Sequence, residues 1–437
     1  MGWLRWLRRG KSSALDAVVR ADHGGVAIGG GVRNSQIKIG LDEEEASRRF
    51  AEAQRPFMEK LAALDGQREK RVGAPPGLAN LERVYAILPS HHNVLYGRGQ
   101  ELETLAQMLS RESPHKGVAI QAIGGMGKTA LARECCVKRE IWKLYDVVLG
   151  AQALKRQISV DTRGSQNNVI RFDQMGTVLG SRDLLVTIGG QLGVRAPDTR
   201  TDSDLEGEIL RQLDGKSALV IVDNLETVDS ISDVLGLLER ICVPPTRRAL
   251  MTTRRFPEDH SQIAVISLSA IQDQSACRSL VVNRLGDGLS AASEAGSAID
   301  AILEIGHGHP LALELLAGKL ITQGQGAVLK LRQDWAGRAP EKLNDEFLSV
   351  LCENIFDDAF FRHIGEMGAN LLYAMAITDD GIAEDSARKA SGLPDQQFRA
   401  ALDKLFEASC IHRELRGDFS LLAMHPITQT YFRSRFT

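Results

Sequence analysis

The sequence has 437 residues, and at about 100 to 200 residues per domain that length implies several domains and excludes a single small module. Apolar residues make up 43% and charged residues 25%, and 53 basic against 56 acidic side chains leave a net charge of -3. This balance excludes collagen-like, disordered and supercharged chains, and it supplies no general attraction to a phosphate backbone.

The six cysteines (Cys135, Cys136, Cys242, Cys277, Cys352, Cys410) show no Cys-x-x-Cys and no zinc-type ladder, which reads as reduced, buried thiols. No run of about 18 apolar residues suggests a membrane span, and no signal peptide is evident, so a cytoplasmic location is expected. The opening MGWLRWLRRGK, residues 1–11, sets Trp3, Leu4, Trp6 and Leu7 among basic residues. It reads as a terminus whose apolar residues dock on protein, with at most a weak contact to an anionic membrane surface. Between Gly24 and Gly40, β-branched residues alternate with small or polar ones and predict two short strands around a turn. Two strands alone are marginal in water, so this segment is expected to pair with another part of the protein or with another chain. Residues 42–71 follow with a helical stripe of Phe50, Phe57, Leu61 and Leu64, interrupted at Pro56. GAPPG at 73–77 reads as a linker, placing the start of the main domain at residue 78.

The strongest signal is GVAIQAIGGMGKTALA at 117–132, an apolar strand, a glycine-rich turn and a helix that begins near Lys128. Glycines let successive backbone N–H groups converge on phosphate oxygens, and the helix that follows presents its positive end to them. The expected contacts are Gly124, Gly125, Met126, Gly127, Lys128, Thr129 and Ala130, with Lys128 reaching the β and γ phosphates and the Thr129 hydroxyl in a Mg²⁺ shell. The usual loop begins with glycine where this chain has Ala122.

Further along, KSALVIVDNLE supplies an apolar strand at 218–222 that ends in Asp223, where a carboxylate sits beside a phosphate loop and can hold Mg²⁺ through water. Asn224 follows, and an amide cannot accept a proton from water as a general base. Glu226 is the candidate substitute, and slow hydrolysis is expected. A third buried run, 249–253 in RRALMTTRR, leads into Arg254, which could read a γ-phosphate. GHPLAL at 308–313 marks a helix start. Residues 366–437 read as three helices, a hairpin turning at Gly417 and Asp418, and a closing helix, the order of a winged helix. The expected recognition helix carries Arg399 and Lys404 against Asp395, Asp403 and Glu407, which argues against DNA as a partner.

YGRGQEL (96–102), AIGGMGKTALA, ALVIVDNLE, ALMTTR, GHPLAL and LLAMHP (421–426) occur in one order. Over roughly residues 90–437 the sequence therefore resembles the NB-ARC family of signal-transducing ATPases with numerous domains, the STAND class. The resemblance implies an α/β fold: a P-loop NTPase parallel sheet followed by a helical domain and a winged-helix domain, after a short N-terminal β/helical extension. The corresponding spans are 1–77, 78–272, 273–345 and 346–437. It also implies that Tyr96 and Arg98 lie near adenine and phosphates, that Asp223 is the Walker B carboxylate and that Arg254 is a sensor arginine. Pro310 would pack on adenine, and His425 would touch the β-phosphate of bound ADP and so lock the last domain to the nucleotide. Ala122, Asn224 and Pro426, which stands where many members have Asp, depart from the family pattern.

The function expected is an ADP/ATP-binding switch with slow ATPase activity, self-association in the ATP state and an unknown protein partner at the N-terminal extension. No repeats of about 34 or 40 residues follow Pro426, so a sensor is expected elsewhere. The competing readings are a DNA-binding regulator or loader that uses the winged helix, and a small-molecule kinase built on the same phosphate loop.

Overall fold

The computed structural model describes residues 26–28, 37–39, 76–89, 94–153, 180–257, 260–290, 295–335, 345–377, 381–416 and 419–436. The amphipathic opening, the helix expected at 42–71 and residues 154–179 lie outside these residues. Strands β1 (Val26–Ile28) and β2 (Ile37–Ile39) form the expected antiparallel pair, with Val26 opposite Ile39. The described residues fall into two compact units, one within Pro56–Cys277 and Arg413–Leu421, the other within Met1–Arg55, Arg278–His412 and Leu422–Thr437.

The first unit is built on a five-stranded parallel sheet of β3 (Gly117–Gln121), β4 (Val147–Gln152), β5 (Ala218–Asp223), β6 (Arg247–Thr253) and β7 (Ile263–Ser267), in the order β4-β5-β6-β3-β7. Every pairing is parallel. Strands β5 and β6 are buried along their whole length, as near-continuous apolar runs require when helices cover both faces. The helices are α1 (Pro76–Ile87), α2 (Gly99–Met108), α3 (Lys128–Lys138), α4 (Ser181–Gln191), α5 (Asp202–Gln212) and α6 (Ile231–Ile241). Side chains start two of them: Thr201 accepts from the Asp204 N–H at α5, and Ser230 from the Asp233 N–H at α6. One side of the sheet buries Leu149, Val220 and Met251 with Leu184 and Ile188 of α4, Leu205 and Ile209 of α5, and Leu235 and Leu238 of α6.

Helix α1 corrects the expected linker, because Pro76 already begins the helix; proline at a first helical position lacks only an N–H that would have had no partner. The consequence is structural. Asn80 Oδ1 accepts from the Val148 N–H at 2.8 Å, Arg83 Nη1 donates to the Val148 carbonyl at 2.9 Å, and the Gln191 amide accepts from and donates to the backbone of Gly150 at 2.9 and 2.7 Å. Side chains thus take the place of a further strand along edge strand β4. Gly150 (φ 132) packs so closely on β5 that a Cβ there would lie 1.9 Å from the Ile221 oxygen.

Helix α7 (Gln274–Ser290), interrupted at Gly286, leads from the first unit toward the second. The second unit continues with α8 (Ala295–Gly306), α9 (Pro310–Gln323), α10 (Gln325–Trp335), α11 (Asp345–Ile355) and α12 (Asp358–Ile377), the last interrupted at Gly365. In chain order there follow β8 (Ile382–Ala383), α13 (Glu384–Ser391), α14 (Asp395–Glu407), the strands β9 (His412–Arg416) and β10 (Phe419–Ala423), whose residues Arg413–Leu421 are grouped with the first unit, and α15 (Pro426–Phe436). The three strands lie in the order β8-β10-β9. Phe356, Phe360, Tyr431 and Phe432 form an aromatic core, with ring centroids as close as 4.7 Å between Phe356 and Phe432. Arg284 holds the end of α14, where Nε donates to Ser409 Oγ at 2.7 Å and Nη2 to the carbonyls of Phe406 and Glu407.

Candidate functional site

Strand order decides where the chemistry gathers. Because β6 separates β3 from β5, the loop that follows β3 opens at the carboxyl end of the sheet next to the end of β6. The Ala122 N–H donates to the Thr253 carbonyl at 3.2 Å. Gly125 (φ 75) and Gly127 (φ 89) occupy the left-handed region that turns the loop back. An added Cβ on Gly127 would meet nothing within 4 Å, so backbone conformation and not space selects glycine there. Helix α3 begins directly after it without a side-chain cap, which leaves its first amides for an anion.

Lys128 is 8% exposed and folds back over its own loop, with Nζ donating to the carbonyls of Ala122 at 2.9 Å and Ile123 at 3.2 Å. Next to it, Thr129 Oγ1 donates to Asp223 Oδ1 at 2.9 Å. Asp223 is fully buried at the end of β5 and accepts a second hydroxyl, Thr252 Oγ1 of β6, at 2.5 Å. Burial pushes the Asp223 carboxyl up to about 6 against the pull of the Thr252 and Thr129 hydroxyls, and the neighbouring Glu226 adds to the rise. Gln152, in register with Asp223 on β4, places Nε2 3.5 Å from Oδ2, while its own Oε1 is buried without a partner.

The sequence order Asp-Asn-Leu-Glu gains a backbone explanation. Asn224 sits at φ 60, a left-handed position that Asn tolerates better than most residues, and its N–H donates to Thr252 Oγ1 at 2.9 Å. The chain then makes a short 3-10 turn, Leu225–Thr227, pinned by the Thr227 hydroxyl on the Ala153 carbonyl at 2.8 Å. This turn brings Glu226 against Arg254: Oε2 accepts from the Arg254 backbone N–H at 3.2 Å, and Oε1 lies 3.4 Å from Arg254 Nε. The chain around Arg254 is itself pinned, by Thr253 Oγ1 on the Arg255 carbonyl at 3.0 Å and by the Phe256 N–H on Gln121 Oε1 at 2.7 Å.

Arg98 is 4% exposed and straps the loop from outside. Nη2 donates to the carbonyls of Ser269 at 2.6 Å and Met126 at 3.4 Å, while Nη1 pairs with Glu101 at 2.9 Å. Gly97 (φ 61) turns the chain in beside Ile271, whose Cγ2 would lie 2.6 Å from an added Cβ. Tyr96 precedes this turn half-buried, and Ala130 lies in the first turn of α3. The structure thus brings Lys128, Thr129, Asp223, Glu226 and Arg254 together at one end of the sheet, with Gly124, Gly125, Met126 and Gly127 in the loop.

Pro310 and His425 lie in the second unit, each at a helix start. Pro310 opens α9 behind His309, fully buried, whose Nδ1 accepts from the Ala312 N–H at 3.4 Å. His425 precedes Pro426 at the start of α15, and its Nδ1 accepts from the Ile427 N–H at 3.3 Å. In both caps an accepting Nδ1 leaves the ring proton on Nε2.

Sequence reasoning missed Thr252 and Gln152. The doubled threonine at the end of β6 was the available signal for the first, since a hydroxyl at a strand's end can serve the carboxylate of its neighbour. No local pattern singles out Gln152. Among the described residues, no group of three or more His, Cys, Asp or Glu could hold a metal, and no helix is long and apolar enough to cross a membrane.

The parallel sheet, its strand order and the lysine-bearing glycine loop between β3 and α3 make this an α/β chain with the P-loop NTPase fold. No protein-family profile matches the sequence, and no curated protein sequence does. Among solved structures, the chain is similar to a signal transduction ATPase with numerous domains with a tetratricopeptide repeat sensor, from Pyrococcus horikoshii, at 14% identity and TM-score 0.49, over 79% of this chain and 43% of that one. It spans less than half the length of that protein. It is also similar to Drosophila ORC bound to DNA, at 12% identity and TM-score 0.38 over 83% of this chain and 93% of that one. A third likeness is to PCH-2 of C. elegans, at 11% identity and TM-score 0.28 over 64% and 71%.

Proposed function

We propose that the chain is an ADP/ATP-binding molecular switch of the NB-ARC/STAND type. The observation that carries this reading is the convergence at one end of the sheet of Lys128 in its glycine loop with the hydroxyl-bonded pair of Thr129 and Asp223. A cationic loop at the start of α3 suits the phosphates of a nucleotide. The hard oxygens of Thr129 and Asp223 suit Mg²⁺, which keeps several waters when bound, and the unpartnered Gln152 Oε1 offers a further acceptor beside them. Bound there, Mg²⁺ would neutralise phosphate charge.

Hydrolysis is slow in this reading, since Asn224 cannot act as a base and Glu226 is engaged with Arg254. Residues 78–272, extended at the front by the start of α1 at Pro76, form the nucleotide-binding domain, 273–345 the helical domain and 346–437 a winged-helix lid. Pro310 contacts adenine, and His425 donates from Nε2 to the β-phosphate of ADP. Exchange for ATP releases the lid and promotes self-association, and the N-terminal extension engages a protein partner. Helix α14, with three acidic residues against Arg399 and Lys404, speaks against DNA as the target of the lid.

Denaturing the purified protein and identifying the nucleotide released tests this directly. Expected is co-purified ADP at about one per chain, lost in Lys128→Ala, for which a drop of at least about 100-fold in affinity follows from removing a charge-assisted phosphate contact, and weakened in His425→Ala. An empty wild-type site that also fails to bind added ADP or ATP overturns the reading.

A further inference from the structure

The Glu226–Arg254 pair has a consequence for which nucleotide the site prefers. Arg254 follows Thr253, whose carbonyl receives the Ala122 N–H at the mouth of the phosphate loop, so its backbone is one peptide away from the loop itself. Its side chain is 39% exposed, whereas Glu226 is more covered at 20%. The carboxylate holds the arginine at two points, Oε2 on the backbone N–H at 3.2 Å and Oε1 at 3.4 Å from Nε. The 3-10 turn that carries Glu226 is anchored by Thr227 on the Ala153 and Asn224 carbonyls at 2.8 and 2.9 Å, so the carboxylate presents itself from a fixed base.

Resting on the nucleotide-binding reading, we propose that Glu226 is a specificity-determining latch: it occupies the arginine that a terminal phosphate would recruit, and so biases the site toward the diphosphate. A triphosphate laid along the loop extends one phosphate further than a diphosphate, toward the end of β6. Its terminal oxygens and the Glu226 carboxylate compete for one guanidinium, both being anions that accept from it. A diphosphate leaves the pair intact. The competition penalises only the longer ligand, and its size is set by a half-exposed ion pair, which corresponds to a change of about fivefold in affinity.

The test is calorimetric titration of the full chain, stripped of bound nucleotide, with ADP and with a non-hydrolysable ATP analogue, in the presence of Mg²⁺. Glu226→Gln is expected to tighten the triphosphate about fivefold and to leave ADP within about twofold. Glu226→Asp keeps the charge but is too short to span both contacts, and it is expected to act in the same direction. In an Arg254→Ala background either Glu226 change has no further effect, because the competed group is gone.

Equal tightening of ADP and the triphosphate, or an effect of Glu226→Gln that persists without Arg254, overturns the latch in favour of simple charge repulsion. Unchanged triphosphate affinity in both Glu226 variants overturns it outright. A wild-type chain that binds neither ligand fails at the earlier step and removes the nucleotide reading together with the latch.

Discussion

The two ends of β6 carry arginines held in opposite ways. At the amino end Arg247 and Arg248 are 5% and 2% exposed and donate only to backbone carbonyls: Arg247 to Ile241 and Leu213, Arg248 to Pro245, Arg247, Arg111 and Ser113. Their Nε atoms are buried without a partner. At the carboxyl end Arg254 is partly exposed and pairs with a side-chain carboxylate. A cation caged by carbonyls cannot change partners unless the backbone moves, whereas one held by a carboxylate at an open sheet end can exchange it for another anion. Within one strand, the partner's chemistry separates a structural arginine from an available one.

The largest expected effect breaks the fixed end. Arg248→Ala leaves the carbonyls of Pro245, Arg111 and Ser113 without their donor and should cost about 3 kcal/mol in urea unfolding, with nucleotide preference unchanged in the molecules that remain folded. A loss below about 1 kcal/mol would place Arg248 with the exchangeable group and dissolve the contrast.

Asp223 sharpens the contrast from the neighbouring strand, as a fully buried carboxyl at the open end that accepts from two hydroxyls, Thr129 and Thr252. Its carboxyl is raised from 3.8 to about 6, so the folded state holds its proton more tightly than the unfolded chain does. Its contribution is therefore unfavourable when ionised. The penalty is absent below about pH 4, grows as pH rises between the two values and is complete above about pH 6. Asp223→Asn keeps an oxygen for both threonine hydroxyls and removes the charge. It should stabilise the ligand-free protein by about 3 kcal/mol at pH 8 and by nearly nothing at pH 4, read from paired denaturation curves. Equal stabilisation at both pH values would show that packing, and not the charge, sets the difference.

The smallest effect on stability is expected at the open end. Arg254→Ala should change it by less than about 0.5 kcal/mol while abolishing the difference between triphosphate and diphosphate that Glu226 controls. A large loss of stability on that change would mean that Arg254 is a structural arginine like the other two.

Much of this arrangement was legible in the residues. The phosphate-loop strand, the helix from Lys128, Asp223 at a strand's end, Arg254 just past another and the helix start behind Gly-His-Pro all rest on local rules: apolar runs, glycine where φ turns positive, proline at the first helical position. Other features left no local mark. Arg98, expected near adenine and phosphates, straps the Met126 and Ser269 carbonyls. Glu226, read as a substitute base, faces Arg254. Asn224 stands out in sequence as a missing acid, and in three dimensions as a left-handed hinge that hands its N–H to Thr252.

The sequence by itself therefore determined the elements and the chemistry each could offer: a cationic glycine loop, a buried carboxylate at the end of a strand and an arginine after the next. Only the tertiary structure decided the partners. Placing β6 between β3 and β5 puts Thr252 on Asp223, the Thr253 carbonyl under the Ala122 N–H of the phosphate loop and Arg254, the next residue, against Glu226. The reason is physical: backbone propensity and periodicity act over a few residues, whereas a hydrogen bond or ion pair between residues far apart in the chain exists only once strand order and register have brought them within about 3 Å.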